Sequence, residues 1–285
     1  MNATLIATAP RTGTALCFDL AAFGTAHATP DMISALRRCP GPAYGEPLPP
    51  AFFKHSDDQT VVGLSALLQA INRHGLGSTN FSDWAVLAGS NFLGRRVLVG
   101  VIDRFATEGA WGVSPHVIPH CTLHSVSGTL SLVLNSHGPN LGVGGGPGGI
   151  AESLLTAASL LSNGQLAGVW LVLTGWEPEP VPQPPGTTLQ PDDAPVVPVC
   201  SAVALALVAA RSGHESMRLR IVPRAKRRWS EWMANPNEEH EVFCLKSLLT
   251  ALEDSDSPNS KMVWRLNGGL WAELEHVWSG AEEKV

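Results

Sequence analysis

Three groups of residues in this chain have types and spacings that could do chemistry. The first is a glycine turn, GVGGGPGG (Gly142 to Gly149), between an apolar strand candidate and a mostly apolar helix candidate. Gly144, Gly146 and Gly149 satisfy the spacing GxGxxG at a helix N-terminus. Such a turn lets backbone N–H groups approach a pyrophosphate. Glu177 follows the next strand, where an acid that binds ribose would stand. The chemistry on that reading is nucleotide-dependent oxidoreduction. The second group is His116, His120 and His124, four residues apart with Cys121 among them. On an unbroken helix they would share one face and could bind zinc. Pro119 interrupts such a helix, so packing or interface histidines are the competing reading. The third is Arg218, Arg220, Arg224, Lys226, Arg227 and Arg228, followed by Trp229 and Trp232. Basic and aromatic residues so placed suit nucleic acid, a solvated face, or an acidic protein partner. Ser127 and Ser131 stand outside any GxSxG context, and no Ser-His-Asp set is legible.

The elements that must position these groups follow from periodicity. Ser56 with Gln59 three residues on predicts a capping box. Leu64, Leu67, Leu68 and Ile71 then predict a helix that ends at Gly75. Asp31 to Arg38 predicts a short helix, and Val97 to Phe105 another. WAVLA (Trp84 to Ala88) and VWLVLT (Val169 to Thr174) read as buried strands. Ile150 to Leu161 reads as the helix after the glycine turn. Val196 to Ala210 is apolar but holds Pro198 and is too short to span a membrane, so a buried strand or helix is expected. Arg218 to Val222 predicts a strand and Val242 to Leu252 a helix. VWRL-NGG-LWAEL predicts a hairpin centred on Asn267 and Gly268. Strands alternating with helices give an α/β class. The Pro-rich stretch 177–193 can be neither helix nor sheet. The expected organisation is one main domain, 1–222, with a divergent extension, 223–285, packed on it.

Composition bounds the function. Of 285 residues, 44% are hydrophobic and 15% charged, against a usual charged share of about 25%. That balance excludes a disordered chain and predicts a large protein–protein interface. The net charge of −6 argues against general nucleic-acid binding. Five scattered cysteines without CxxC spacing read as reduced thiols of the cytoplasm. No charged start precedes an apolar run, so neither a signal peptide nor a membrane span is expected.

An ordered set of landmarks carries a resemblance. Ser114-Pro115, Ser127-Gly128 and Gly138-Pro139-Asn140 are followed by the small-residue turn, a buried helix and a strand ending at Gly175. The helix at 56–75 and the strand Trp84 to Phe92 precede them. Over Asp57 to Val222 the chain resembles the N-terminal half of a β-ketoacyl synthase, which implies a thiolase-like fold with a truncated, divergent C-terminal region. The resemblance also implies where the sequence departs. The family's nucleophilic cysteine would fall at Pro147, which has neither a nucleophile nor an N–H. None of His214, His240 or His276 stands in a His-x-Thr-Gly or Asn-His-x-Phe-Gly context. A ketosynthase fold so altered resembles a chain-length-factor-like subunit of bacterial type II polyketide or aryl-polyene systems.

That resemblance implies a non-catalytic heterodimer partner of an active ketosynthase, with phosphopantetheine arriving on an acyl carrier protein. Gly144, Gly145, Gly146, Pro147, Gly148 and Gly149 would line the degenerate site and acyl tunnel. His116, His120 and His124 would lie near the interface. Arg224, Lys226, Arg227 and Arg228 would dock the carrier. No metal or resident cofactor, no nucleic acid and no membrane is expected. A homodimer that binds acyl chains is a third reading.

Overall fold

A computed structural model describes residues 15–38, 44, 53–115, 117–144, 146, 148–179, 197–211, 216–223, 241–253 and 261–277. Its frame is one eight-stranded sheet. In chain order the elements are β1 (Leu16–Ala28), α1 (Pro30–Arg38), α2 (Asp58–Arg73), β2 (Trp84–Ser90), α3 (Arg95–Glu108), α4 (Val117–Cys121) and α5 (His124–Leu134). Then come β3 (Asn140–Gly144), α6 (Gly149–Ser162), β4 (Gly168–Glu177), β5 (Val199–Ala209), β6 (Ser216–Pro223), α7 (Leu245–Glu253), β7 (Met262–Arg265) and β8 (Leu270–Val277). The strand order is β3-β2-β4-β5-β1-β6-β8-β7. β2 pairs in parallel with β3 and β4, and every other pairing is antiparallel.

All seven residues of β2 and the first eight of β4 are buried. Strands covered on both faces need apolar side chains at successive positions rather than alternate ones. Two apolar clusters provide the cover. α2 and α5 pack with Phe53, Phe81 and Trp170 on one face. α6 and α7 pack on the other, joined by the inner residues of β6, β7 and β8. The stretch after residue 222 therefore adds its helix and hairpin to the same sheet and core. Trp264 and Trp271 sit on the two arms of that hairpin, whose turn at Asn267–Gly269 falls where the NGG signal lies.

Two expectations need correcting, and three elements were not foreseen: α4, which holds Pro119 within its single turn, and β1 and α5. The cap of α2 is Asp57, not Ser56: its carboxylate accepts from the Gln59 N–H at 2.9 Å. The histidines at 120 and 124 do not share a helix, because the chain breaks between α4 and α5. β1 escaped prediction because its Ala/Thr-rich run lies in mid-sheet and does not alternate. α5 also escaped, since its serines and glycine blur the apolar stripe. The loop at 180–193 lies outside the described residues.

α2 lies directly on β1. A Cβ at Gly24 would stand 2.3 Å from the Ala66 carbonyl oxygen and 2.7 Å from the Ala70 nitrogen. Both obstacles are backbone, so neither can rotate away. Gly24→Ala is expected to destabilise by at least about 2 kcal/mol in urea unfolding, as overpacked cores do. Gly77→Ala, where an added Cβ meets nothing within 4 Å, should stay within about 0.5 kcal/mol of the parent. Equal losses at both sites would contradict the close seating of α2.

Burial pushes the Asp57 carboxyl up from 3.8 to about 6, Asp58 adds to the rise, and the Gln59 N–H opposes it. A carboxyl whose folded pKa exceeds its unfolded one contributes stability below the unfolded value and loses it as pH rises through the folded value. Asp57→Asn keeps an acceptor for the cap without the charge. Relative to the parent, its unfolding free energy should rise by about 2–3 kcal/mol between pH 3.5 and pH 7.5. A difference that stays flat with pH would remove the buried charge from the account.

Candidate functional site

The head of α6 is built by close backbone contact. β3 runs beside β2, with Asn140 opposite Val86 and Gly144 opposite Ser90. Gly142 lies against α5: a Cβ there would stand 2.0 Å from the Leu123 carbonyl oxygen. Gly144 has φ +138°, and Gly149 folds back on it so that a Cβ at Gly149 would stand 2.8 Å from the Gly144 Cα. The Gly149 N–H donates to the Gly146 carbonyl at 3.0 Å, and the Glu152 N–H to the Gly148 carbonyl at 3.0 Å. A Cβ at Gly146 would meet nothing within 4 Å, whereas one at Gly148 would approach Asn267 Nδ2 at 3.3 Å. The C-terminal hairpin turn thus sits beside the head of α6. Gly145 and Pro147 lie outside the described residues.

This geometry decides between uses of the glycines. Gly142, Gly144 and Gly149 permit helix–strand and turn packing, and Gly146 borders open space. A dinucleotide fold fits poorly. In a mononucleotide-binding βαβ unit the two strands joined by the helix lie side by side, but here β2 lies between β3 and β4. Glu177 at the end of β4 faces Lys246 Nζ at 3.4 Å.

The other sequence candidates separate. The His120 ring lies 5.9 Å from that of His55, whereas His124 packs beside Gly128, whose Cβ would stand 3.5 Å from its Nε2. His116 lies outside the described residues. Among the described residues no three His, Cys, Asp or Glu side chains are grouped to hold a metal. Ser127 Oγ donates to the His124 carbonyl at 3.2 Å and Ser131 Oγ to the Gly128 carbonyl at 2.9 Å. Both hydroxyls serve α5 rather than a nucleophilic role. Asn140 Nδ2 donates to Ser131 Oγ at 2.7 Å, tying the Gly138-Pro139-Asn140 landmark to α5. In the basic cluster, Arg218 Nε pairs with Asp19 at 2.9 Å, and Arg220 lies 3.4 Å from Glu275. These two charges are engaged within the chain. Arg224, Lys226, Arg227 and Arg228 lie outside the described residues.

A buried polar group at the carboxyl ends of β2 and β4 has no sequence signature. Thr174 Oγ1 donates to Gln59 Oε1 at 2.8 Å and lies 2.7 Å from Ser90 Oγ. Gln59 Nε2 donates to the Asn91 carbonyl at 3.1 Å. The network ties the start of α2 to the ends of two strands. Burial pushes the nearby Cys121 thiol up to about 11, with Asp57 and Asp58 adding to the rise, and pushes Cys200 well above the ordinary thiol value. Both remain thiols at neutral pH and are poor nucleophiles.

Apolar side chains are exposed on β3, α5 and α3. Among the described residues β3 is the terminal strand. Leu141 on it is 40% exposed and Leu132 on α5 is 72% exposed. Ile102 and Phe105 of α3 are also exposed, and Trp111 fully so. Among the described residues no helix is long and apolar enough to cross a membrane.

No protein-family model and no curated protein matches the chain. Solved structures do match. One is a chain of AntDE:AntF (apo), a type II PKS acyl-carrier protein in complex with its ketosynthase bound to the hexaketide. It superposes with a TM-score of 0.55 at 12% identity, covering 91% of this chain and 99% of that one. A chain of the ishigamide ketosynthase/chain length factor superposes with a TM-score of 0.54 at 14% identity, covering 92% of this chain and 100% of that one. The α/β architecture, with its buried helix behind a glycine turn, is the thiolase-like fold of chains from ketosynthase and chain-length-factor complexes.

Proposed function

We propose that this chain is a non-catalytic, chain-length-factor-like partner of an active ketosynthase in polyketide or fatty-acyl chain elongation. One observation carries the reading. The fold matches chains of ketosynthase complexes almost end to end, yet the turn at the head of α6 contains only glycine, valine and proline. Condensation in a ketosynthase needs a nucleophile held at a helix N-terminus, where the dipole and free N–H groups favour its anion. A turn of these residues has no group to attack a thioester. The partner subunit would supply the cysteine and the histidines. This chain would complete the dimer and wall part of the acyl tunnel. Phosphopantetheine would arrive on a carrier protein, and no resident cofactor is required.

The terminal place of β3 among the described strands, with exposed Leu132 and Leu141, suits a subunit interface. A terminal strand can pair with another chain, and exposed Leu132 and Leu141 beside it would add apolar contact area. Arg224, Lys226, Arg227 and Arg228 would attract an acidic carrier protein from solution.

Co-expression with a type II ketosynthase encoded beside it tests the reading, with complex mass by light scattering and malonyl-dependent condensation as readouts. A one-to-one complex whose activity requires this chain is the expected result. A chain that stays monomeric, pairs only with itself, or leaves condensation unchanged would contradict it. Leu132→Arg and Leu141→Arg should weaken the complex at least about tenfold while leaving the melting temperature unchanged, as exposed substitutions do.

Charge reversal at Arg227 and Arg228 provides a separate check. The double Glu variant should bind the carrier protein more weakly, and the difference should shrink as salt is raised. Unchanged affinity at low salt would remove the docking role.

A further inference from the structure

A cleft of about 490 Å³ opens where the ends of β1 and β4 meet α7. Its lining includes Trp176, Leu245 and Leu249 together with His27, Ser201 and Glu253. The last three are joined. His27 Nδ1 lies 2.9 Å from Ser201 Oγ, and His27 Nε2 lies 3.1 Å from Glu253 Oε1. They come from β1, β5 and α7, separated in sequence by 174 and 226 residues.

The sheet register positions two of them. His27 stands opposite Ser201 across the β1–β5 pair, and Ser201 stands opposite Gly175 across the β4–β5 pair. Gly175 has no side chain, and Leu245 Cδ2 and Asn91 pack over it, 3.3 and 3.5 Å from where a Cβ would stand. The imidazole side chain is 45% exposed and Glu253 54% exposed, so a substrate in the cleft can reach them. Leu245 and Lys246 line the same cleft at the first turn of α7, where backbone N–H groups have no acceptor within the helix.

The hydrogen bonds dictate the protons. A carboxylate only accepts, so His27 Nε2 carries the hydrogen that Glu253 holds. In the neutral ring Nδ1 is then a bare acceptor, and the Ser201 hydroxyl donates to it. A hydroxyl whose proton is already directed at a base, with the base oriented by a carboxylate, is an activated nucleophile.

We propose that Ser201, His27 and Glu253 form a hydrolytic triad acting on carboxylic esters or thioesters in this cleft. Ser201 Oγ attacks the acyl carbonyl carbon and its proton passes to His27 Nδ1. The carbonyl–heteroatom bond breaks, and the departing alkoxide or thiolate takes that proton and leaves as alcohol or thiol. Water then attacks the acyl-serine, with His27 accepting its proton and returning it to Ser201 Oγ. The products are a free acid and an alcohol or thiol, and no oxidant or further reactant is needed. Ser201 and His27 are catalytic residues, and Glu253 is a positioning residue. The activity belongs to this chain alone and is separate from condensation, the reaction in which the chain is proposed to be non-catalytic.

The test uses the full chain without any ketosynthase. A fluorophosphonate probe followed by peptide mass spectrometry should place one adduct on Ser201. Hydrolysis of p-nitrophenyl butyrate and of the butyryl thioester of N-acetylcysteamine is followed in parallel, and the faster arm identifies the leaving group as alcohol or thiol. Ser201→Ala and His27→Ala should each lower kcat/KM at least about a hundredfold with the melting temperature retained. Glu253→Ala should lower kcat at least about tenfold with KM unchanged, and Glu253→Asp, which keeps a carboxylate, should recover part of the loss. The adduct on the unmodified chain stands whether or not a variant folds. Failure of the probe to label Ser201, hydrolysis of neither substrate, or undiminished hydrolysis by Ser201→Ala would overturn the proposal.

Discussion

The structure depends on one constraint: its central strands are buried on both faces. β2 and β4 have no solvent face along most of their length, so helices must cover both sides of the sheet. A backbone so enclosed leaves chemistry only at the strand ends, in the turns that enter helices. The glycine turn follows β3, the Gln59–Thr174–Ser90 network lies at the ends of β2 and β4, and the Ser201–His27–Glu253 group lies near the ends of β1 and β4. The sheet works as a platform that brings groups distant in sequence to one edge.

Close approach of backbones is the second theme. Gly24 admits α2 to the sheet, Gly142 admits α5, and Gly149 closes on Gly144. At each contact an added Cβ would strike main-chain atoms, which cannot move as a side chain can. The glycines of the turn are therefore first a packing device. The turn also has no side chain able to attack an acyl group. The C-terminal segment reinforces this arrangement. It continues the sheet through β6, β8 and β7, places its hairpin turn beside the head of α6, and lays α7 over the same face.

Much of this architecture is legible from local patterns. Long runs of apolar residues marked β2, β4 and β5, helical spacing marked α2, α3 and α6, and Asn267-Gly268 marked the hairpin. β1 and α5 were hidden because each mixes small and polar residues whose burial depends on distant neighbours. The cap of α2 was misassigned by one residue, because Ser56 and Asp57 are both good caps and only the entry path of the chain selects between them. His120 and His124 share a spacing that a helix would align, but the break after Cys121 sends them to different surroundings.

By itself the sequence determined the α/β class, the order of most elements, the glycine turn and the absence of a cysteine within it. These are local properties, since periodicity, turn chemistry and residue identity need no partner from elsewhere in the chain. Only the tertiary structure decided the strand order, the insertion of β2 between β3 and β4, the burial of Asp57 and the meeting of His27 with Ser201 and Glu253. Those features depend on contacts between residues tens to hundreds of positions apart. Such contacts are set by sheet register and helix seating, for which neither segment carries a signal alone.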